Sequence, residues 1–199
     1  MIFCWIFLTD YTALLTEFQS IESGHALGAG PASSGDRLIK QKIDFSRVSF
    51  LIVDDNKLSI KMVGDTLRYL GATNIEVTRN PDEALSLIKK QNTDVLITEW
   101  QMESMTGVEF LDLLRNSSAS PNRFLPVIML TGHSEEPFVA DARDNGVTEF
   151  LAKPFTAKGF YARLVSVIAR PRCFINAPSY FGPDRRRKTM PYDGDERRS

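Results

Sequence analysis

Five polar residues, each at the end of a short apolar run, could do chemistry in this chain. Asp54 and Asp55 follow Phe50-Leu51-Ile52-Val53, Glu99 follows Val95-Leu96-Ile97-Thr98, Thr131 follows Val127-Ile128-Met129-Leu130, and Lys153 follows Phe150-Leu151-Ala152. Brought together, three carboxylates, a hydroxyl and an ammonium suit a hard cation and a phosphoryl group. Carboxylates in one crevice raise each other's pKa unless a cation intervenes. Mg²⁺ answers that need with few carboxylates, a carbonyl and retained waters. A lysine binds phosphate as a point charge. Asp54 and Asp55 would also suit the cap of a following helix, a role compatible with metal binding.

What gathers these residues is the alternation of elements. Apolar runs of three to five residues alternating with helical patterns read as buried parallel strands. Strand one is expected at about 48–53, followed by a helix with Ile60, Val63, Leu67 and Leu70 on one face and Gly71 at its end. Ile75 and Val77 mark a short second strand. Asn80-Pro81-Asp82-Glu83 then starts a helix, with a cap, an early proline and acids at the positive end of the dipole. Strand three is expected at 94–98, a helix opening at Gly107, strand four at 126–130, helix four at 135–145, strand five at 148–151 and helix five at 156–169. Five βα units with right-handed crossovers predict an α/β fold, a doubly wound five-stranded parallel sheet flanked by five helices. In such a sheet the strand C-termini share one edge, where ligands bind.

Residues from about 47 to 169 resemble the receiver domain of bacterial two-component response regulators. The motifs that carry the resemblance are Asp54-Asp55, the stretch from Glu99 to Gly107, Thr131-Gly132 and Phe150-Leu151-Ala152-Lys153-Pro154-Phe155. The resemblance implies a flavodoxin-like strand order of 2-1-3-4-5. It assigns a Mg²⁺ site to Asp54, Asp55, Glu99 and the backbone carbonyl of Gln101, and the phosphoryl oxygens to Thr131 and Lys153. It makes Phe150 the aromatic that turns inward on activation and the Lys153-Pro154 bond cis. One departure stands out: where the family carries its phosphoacceptor aspartate, this chain has Glu99. Its extra methylene carries the carboxylate about 1.5 Å further, where it could pair with Lys153 and accept a bond from Thr131, a partial mimic of the phosphorylated state. A rival outcome has Glu99 paired with Lys153 alone in an off state. Trp100 is expected to lie over the site.

The ends differ from the middle. Residues 1–46 read as a poorly ordered leader and linker. The apolar run from Ile2 to Leu8 is too short to span a bilayer and has no basic start, and residues 23–36 are rich in Gly, Ala and Ser. His25 falls in that linker, and His133 reads as an exposed loop residue. Cys4 and Cys173 lie far apart in poorly patterned ends, which fits a reducing cytoplasm. Residues 1–169 hold 16 Lys/Arg against 21 Asp/Glu, whereas residues 170–199 hold 8 against 4. The two regions therefore suit different partners. Residues 170–199 are expected to be a basic, disordered tail. Within it, Tyr180 to Arg186 and Tyr192 to Arg198 share Tyr-x-Gly-x-acid-Arg-Arg at a 12-residue offset. This resembles the short Arg-rich tails of single-receiver regulators of α-proteobacterial type. Tyr180, Arg185, Arg186, Tyr192, Arg197 and Arg198 are its candidate partner anchors.

These readings converge on a cytoplasmic single-domain response regulator, not an enzyme, that acts through protein contacts. Its expected partners are a histidine kinase or phosphotransfer protein and an output protein engaged through helix four, strand five, helix five and the tail. Glu99 makes a phosphorylation-independent regulator the leading form; phosphoryl transfer to Glu99 or to Ser104 is the alternative. A nucleic-acid accessory working through Arg185-Arg186-Arg187-Lys188 is a further alternative. No helix-turn-helix pattern follows the receiver, so sequence-specific DNA binding is not expected. A phosphohydrolase with Asp54 as nucleophile would need a second acid two residues on, with Lys57 one residue beyond, and is set aside.

Overall fold

A computed structural model of the chain describes residues 2–3, 43–132, 135–178 and 180–185. Its body is a five-stranded parallel sheet made of β1 (Ser49–Val53), β2 (Asn74–Thr78), β3 (Val95–Glu99), β4 (Val127–Thr131) and β5 (Glu149–Ala152). The order is β2-β1-β3-β4-β5, with every neighbouring pair parallel. The helices are α1 (Lys57–Tyr69), α2 (Pro81–Lys90), α3 (Gly107–Asn116), α4 (Glu136–Asp144) and α5 (Ala157–Ala169). The expected doubly wound, flavodoxin-like architecture is the one observed.

Alternation along each strand divides the core into two layers. Phe50, Ile52, Val95, Ile97, Ile128 and Leu130 face α1 and α5, where Val63, Leu67, Phe160 and Leu164 cover them. Leu51, Val53, Leu96, Val127 and Met129 face α2, α3 and α4 through Ala84, Ile88, Phe110, Leu114 and Ala142. Burial on both faces is why these strands are continuous apolar runs.

The helix starts are encoded locally. The Asn56 side chain accepts from the amides of Leu58 and Ser59, and that of Asn80 from Asp82. Thr106 and Glu109 form a reciprocal capping box at the start of α3, and Thr156 caps α5. Asn56, not Asp54 or Asp55, therefore caps α1. Gly107 is required by close approach, since a Cβ there would lie 2.3 Å from the carbonyl oxygen of Glu99.

The structure corrects both expected boundaries. Phe45, in a 3-10 turn over Phe45–Arg47, is 2% exposed within the first core layer, and Ile43 packs beside it. The folded unit thus begins earlier than residue 47, because a lone aromatic in linker-like sequence carries no periodic signal. The tail is not disordered throughout. β6 (Phe174–Ala177) and β7 (Tyr180–Pro183) form an antiparallel hairpin, and residues Ile2–Phe3 pair antiparallel with β6. Phe124, Phe174 and Phe181 pack with ring centroids 5.2–5.6 Å apart. Beneath them lies Arg115, fully buried, donating to the carbonyls of Gly146, Arg123 and Leu125 at 3.1, 2.8 and 2.8 Å.

Candidate functional site

The register puts the chemistry on one edge. Glu99 and Thr131 are the last residues of β3 and β4, Asp54 and Asp55 follow β1 directly, and Lys153 follows β5. All of them but the fully buried Thr131 line a cleft of about 440 Å³, together with Ser59 and Gln101. The Lys153-Pro154 bond is cis, as the sequence resemblance implied. The Lys153 amide donates to the Thr131 carbonyl at 2.7 Å, which fixes where the side chain begins.

Lys153 is the centre of the cluster. Its Nζ donates to Glu99 Oε2 at 2.6 Å, to Ser59 Oγ at 2.5 Å and to Asp54 Oδ2 at 3.1 Å. Ser59 Oγ in turn donates to Asp54 Oδ2. Asp54 Oδ1 accepts from the Asn56 amide at 2.8 Å, and Glu99 Oε1 from the Trp100 amide at 2.7 Å. Both oxygens of each carboxylate are therefore engaged by donors of the chain. Asp55 is more open: Oδ2 accepts from the Glu103 amide at 2.8 Å, and its backbone carbonyl accepts from Arg79 at 2.9 Å. The Asp54, Glu99 and Lys153 side chains are 6, 13 and 18% exposed, so their mutual attraction is weakly screened.

The three carboxylates expected to hold a metal, Asp54, Asp55 and Glu99, line the same cleft, with Lys153 among them. Among the described residues, no three His, Cys, Asp or Glu side chains come together as a group able to hold a metal ion. The reason is visible in the bonds: Lys153 lies between Asp54 and Glu99 and supplies the positive charge itself. Asp55 and Gln101 line the same cleft beside these groups.

Other site residues fall as follows. Thr131 is fully buried, and Phe150 is half-buried against the second core layer. Trp100 does not lie over the cleft: it is 8% exposed and packs edge-on to Phe138 at 5.4 Å. Ser104 is exposed. Tyr180 and Arg185 belong to the hairpin region, with Arg185 over the Tyr180 ring at 4.1 Å and paired with Asp144 at 2.8 Å. Arg186, Tyr192, Arg197, Arg198, His25 and His133 lie outside the described residues. Ser59 is the cleft residue in contact with Lys153 that sequence reading missed. Its only signal is a place one turn into α1, where a serine reads as ordinary helix surface.

A doubly wound parallel sheet with an acid and lysine cleft at its strand C-termini defines a class of phosphoryl-signalling α/β proteins. The response regulator receiver domain model matches residues 50–165, and this chain belongs to that family. Chemotaxis protein CheY of Pseudomonas aeruginosa is 31% identical over 123 residues, 62% of this chain and 98% of that protein. Chemotaxis protein CheY-3 of Vibrio cholerae is 33% identical over 124 residues, 62% and 93% of the two chains. Among solved structures, Vibrio cholerae CheY4 superposes with a TM-score of 0.55 at 32% identity, covering 60% of this chain and 98% of the other. A putative response regulator from Chloroflexus aurantiacus gives 0.57 at 27% identity, covering 62% and 98%. The chain is therefore a receiver-domain signalling protein of the two-component type. Among the described residues, no helix is long and apolar enough to cross a membrane.

Proposed function

We propose that this protein is a cytoplasmic single-domain response regulator that signals through protein contacts without accepting a phosphoryl group. In this reading Glu99 stands at the phosphoacceptor position. One observation carries it: Lys153, the residue that would bind a phosphoryl group, is held by Glu99 at 2.6 Å, Ser59 at 2.5 Å and Asp54 at 3.1 Å. A glutamate also puts its carboxylate in a different place from an aspartate acceptor's, one bond further toward the lysine. Mg²⁺ has no step in this mechanism. The upstream partner is a histidine kinase or phosphotransfer protein, bound without transfer. The output protein meets the face made by α4, β5 and α5, where Phe150 sits, together with the Arg-rich tail of α-proteobacterial type. Within that tail, Tyr180 and Arg185 are used inside the chain, which leaves Arg186, Tyr192, Arg197 and Arg198 as partner anchors.

Incubation of the full chain with acetyl phosphate and Mg²⁺, followed by intact-mass measurement, tests the reading. The natural sequence should show no added phosphate, and Glu99→Asp should gain one. A phosphate adduct on the natural sequence would overturn it.

A further inference from the structure

A lysine ammonium has three N–H donors and no acceptor. In this cleft each of the three meets an oxygen, on Glu99, Ser59 and Asp54, at 2.6, 2.5 and 3.1 Å. The serine differs from the two carboxylates. Ser59 is neutral, 9% exposed, and passes a hydrogen bond onward to Asp54 Oδ2. Its hydroxyl thus accepts from the cation and donates to the anion, which joins Lys153 and Asp54 twice, directly and through oxygen. Asn56 caps α1 by accepting from the amides of Leu58 and Ser59, so the helix start fixes the Ser59 backbone.

We infer that the chain's own ammonium competes for the cation site of the cleft, and that Ser59 is the positioning residue that, by holding Lys153, keeps divalent ions weakly bound there. This deepens the phosphorylation-independent reading given above. A Mg²⁺-sized ion sheds water reluctantly and needs oxygens at about 2.0–2.1 Å in octahedral array. To take Asp54 or Glu99 as a ligand it must compete with an ammonium already bonded to both. Full access to those oxygens requires Lys153 to withdraw, and withdrawal breaks three bonds at a side chain 18% exposed. Glu99 and Asp54 hold Lys153 by charge, as any carboxylates would. Ser59 holds it by geometry alone, and that gives the proposal a test which charge cannot imitate. Removing the hydroxyl leaves the net charge of the cleft unchanged, yet frees one lysine donor and one lone pair of Asp54.

Mn²⁺ is the probe, its free concentration read by electron paramagnetic resonance in titrations of the full chain. The natural sequence should bind it weakly. Ser59→Ala should bind about fivefold more tightly, the equivalent of the net worth of one hydrogen bond, and Ser59→Thr should return to weak binding. Lys153→Met should tighten binding more than tenfold. In the Lys153→Met background the added Ser59→Ala change should have no further effect, because the serine acts only through the lysine. Circular dichroism establishes that each variant is folded. The inference is overturned if Ser59→Ala binds no more tightly than the natural sequence, if the two effects simply add, or if no variant binds Mn²⁺. Should Ser59→Ala fail to fold, the Ser59→Thr variant and the tightening in Lys153→Met still decide. Phosphate uptake by the natural sequence, read separately by mass, would overturn the functional reading without altering this ranking of Mn²⁺ affinities.

Discussion

Glu99 concentrates the question of state in one side chain. Oε2 accepts from Lys153 at 2.6 Å and Oε1 from the Trp100 amide at 2.7 Å, so the carboxylate is fixed at both ends. Glu99→Gln keeps the shape and removes the charge. It should weaken the hold on Lys153 and destabilise the fold by about 1.5–3 kcal/mol, the range for hydrogen bonds to charged groups, read as a lower midpoint in urea. If the fixed charge sustains the signalling state, the same variant should also lose affinity for the output protein. Unchanged partner affinity in a folded Glu99→Gln protein would mean that the charge does not sustain signalling. Most of this site was legible in the sequence because it sits at strand ends, where a charged side chain closing an apolar run adds nothing to the core. Ser59 was not, since only the topology brings α1 opposite the residue following β5, 94 positions away. Trp100 was misplaced for a related reason. Adjacency to Glu99 in sequence says nothing about the face of β3 from which a side chain departs, and the ring packs into the second layer beside Phe138.

At the scale of elements the hairpin ties the C-terminal region to the sheet. Its strands are four residues each and include Gly and Pro, a composition that reads as turn. They become strands because a platform on distant elements receives them. Arg123 lies over the Phe181 ring at 3.7 Å and Arg115 over the Phe174 ring at 5.1 Å. Gly182 meets Gly146 so closely that a Cβ on Gly182 would lie 2.7 Å from the Gly146 Cα. Arg172, just before β6, donates to buried Glu149 at 2.6 Å. Truncation after Arg170 should therefore lower the melting temperature by several degrees, whereas truncation after Arg185 keeps every contact described. Arg115 is the deeper anchor. Burial pulls its guanidinium down to about 9, which leaves it charged at neutral pH. Arg115→Ala would open a cavity and leave three carbonyls without their donor, at a loss of at least about 3 kcal/mol by chemical denaturation. Tyr180 supplies a pH signature. Burial raises its pKa above the ordinary 10.0, and its hydroxyl donates to the Pro183 carbonyl at 2.7 Å. A raised acid contributes stability that is present below its ordinary value and lost as pH rises through the folded-state value. Alkaline titration by phenolate absorbance should show one late tyrosine, coincident with loosening of the hairpin, and Tyr180→Phe should remove that step.

At the scale of the molecule the sheet separates two poles. The cleft lies at the strand C-termini, and the hairpin covers the N-terminal side of β4 and β5, about 15 Å away for five-residue strands. β5 touches both, with Glu149 bound to Arg172 at one end and Lys153 following the other. The charge follows the same division, acidic through residue 169 and basic from residue 170, with 8 Lys/Arg against 4 Asp/Glu in the last 30 residues. Tyr180, Phe181 and Arg185 of the first copy of the repeated tail unit are used within the chain: Arg185 pairs with Asp144 and stacks on Tyr180, and Phe181 lies under Arg123. The second copy repeats Tyr, Gly, the acid and both arginines, but carries Asp193 and Asp195 in place of Phe181 and Pro183. It therefore lacks the ring that anchors the first copy over Arg123, and its aromatic and paired arginines are better suited to a partner surface than to the same socket. The two copies should accordingly fail in different ways. Arg185→Ala should lower the melting temperature by loosening the hairpin. Arg197→Ala with Arg198→Ala should leave the melting temperature unchanged and abolish co-purification of the output protein. If that double variant retains its partner in full, the second copy is not the anchor. If binding shifts instead to unrelated oligonucleotides, with affinity falling steeply as salt rises, the basic tail is acting on phosphate backbones.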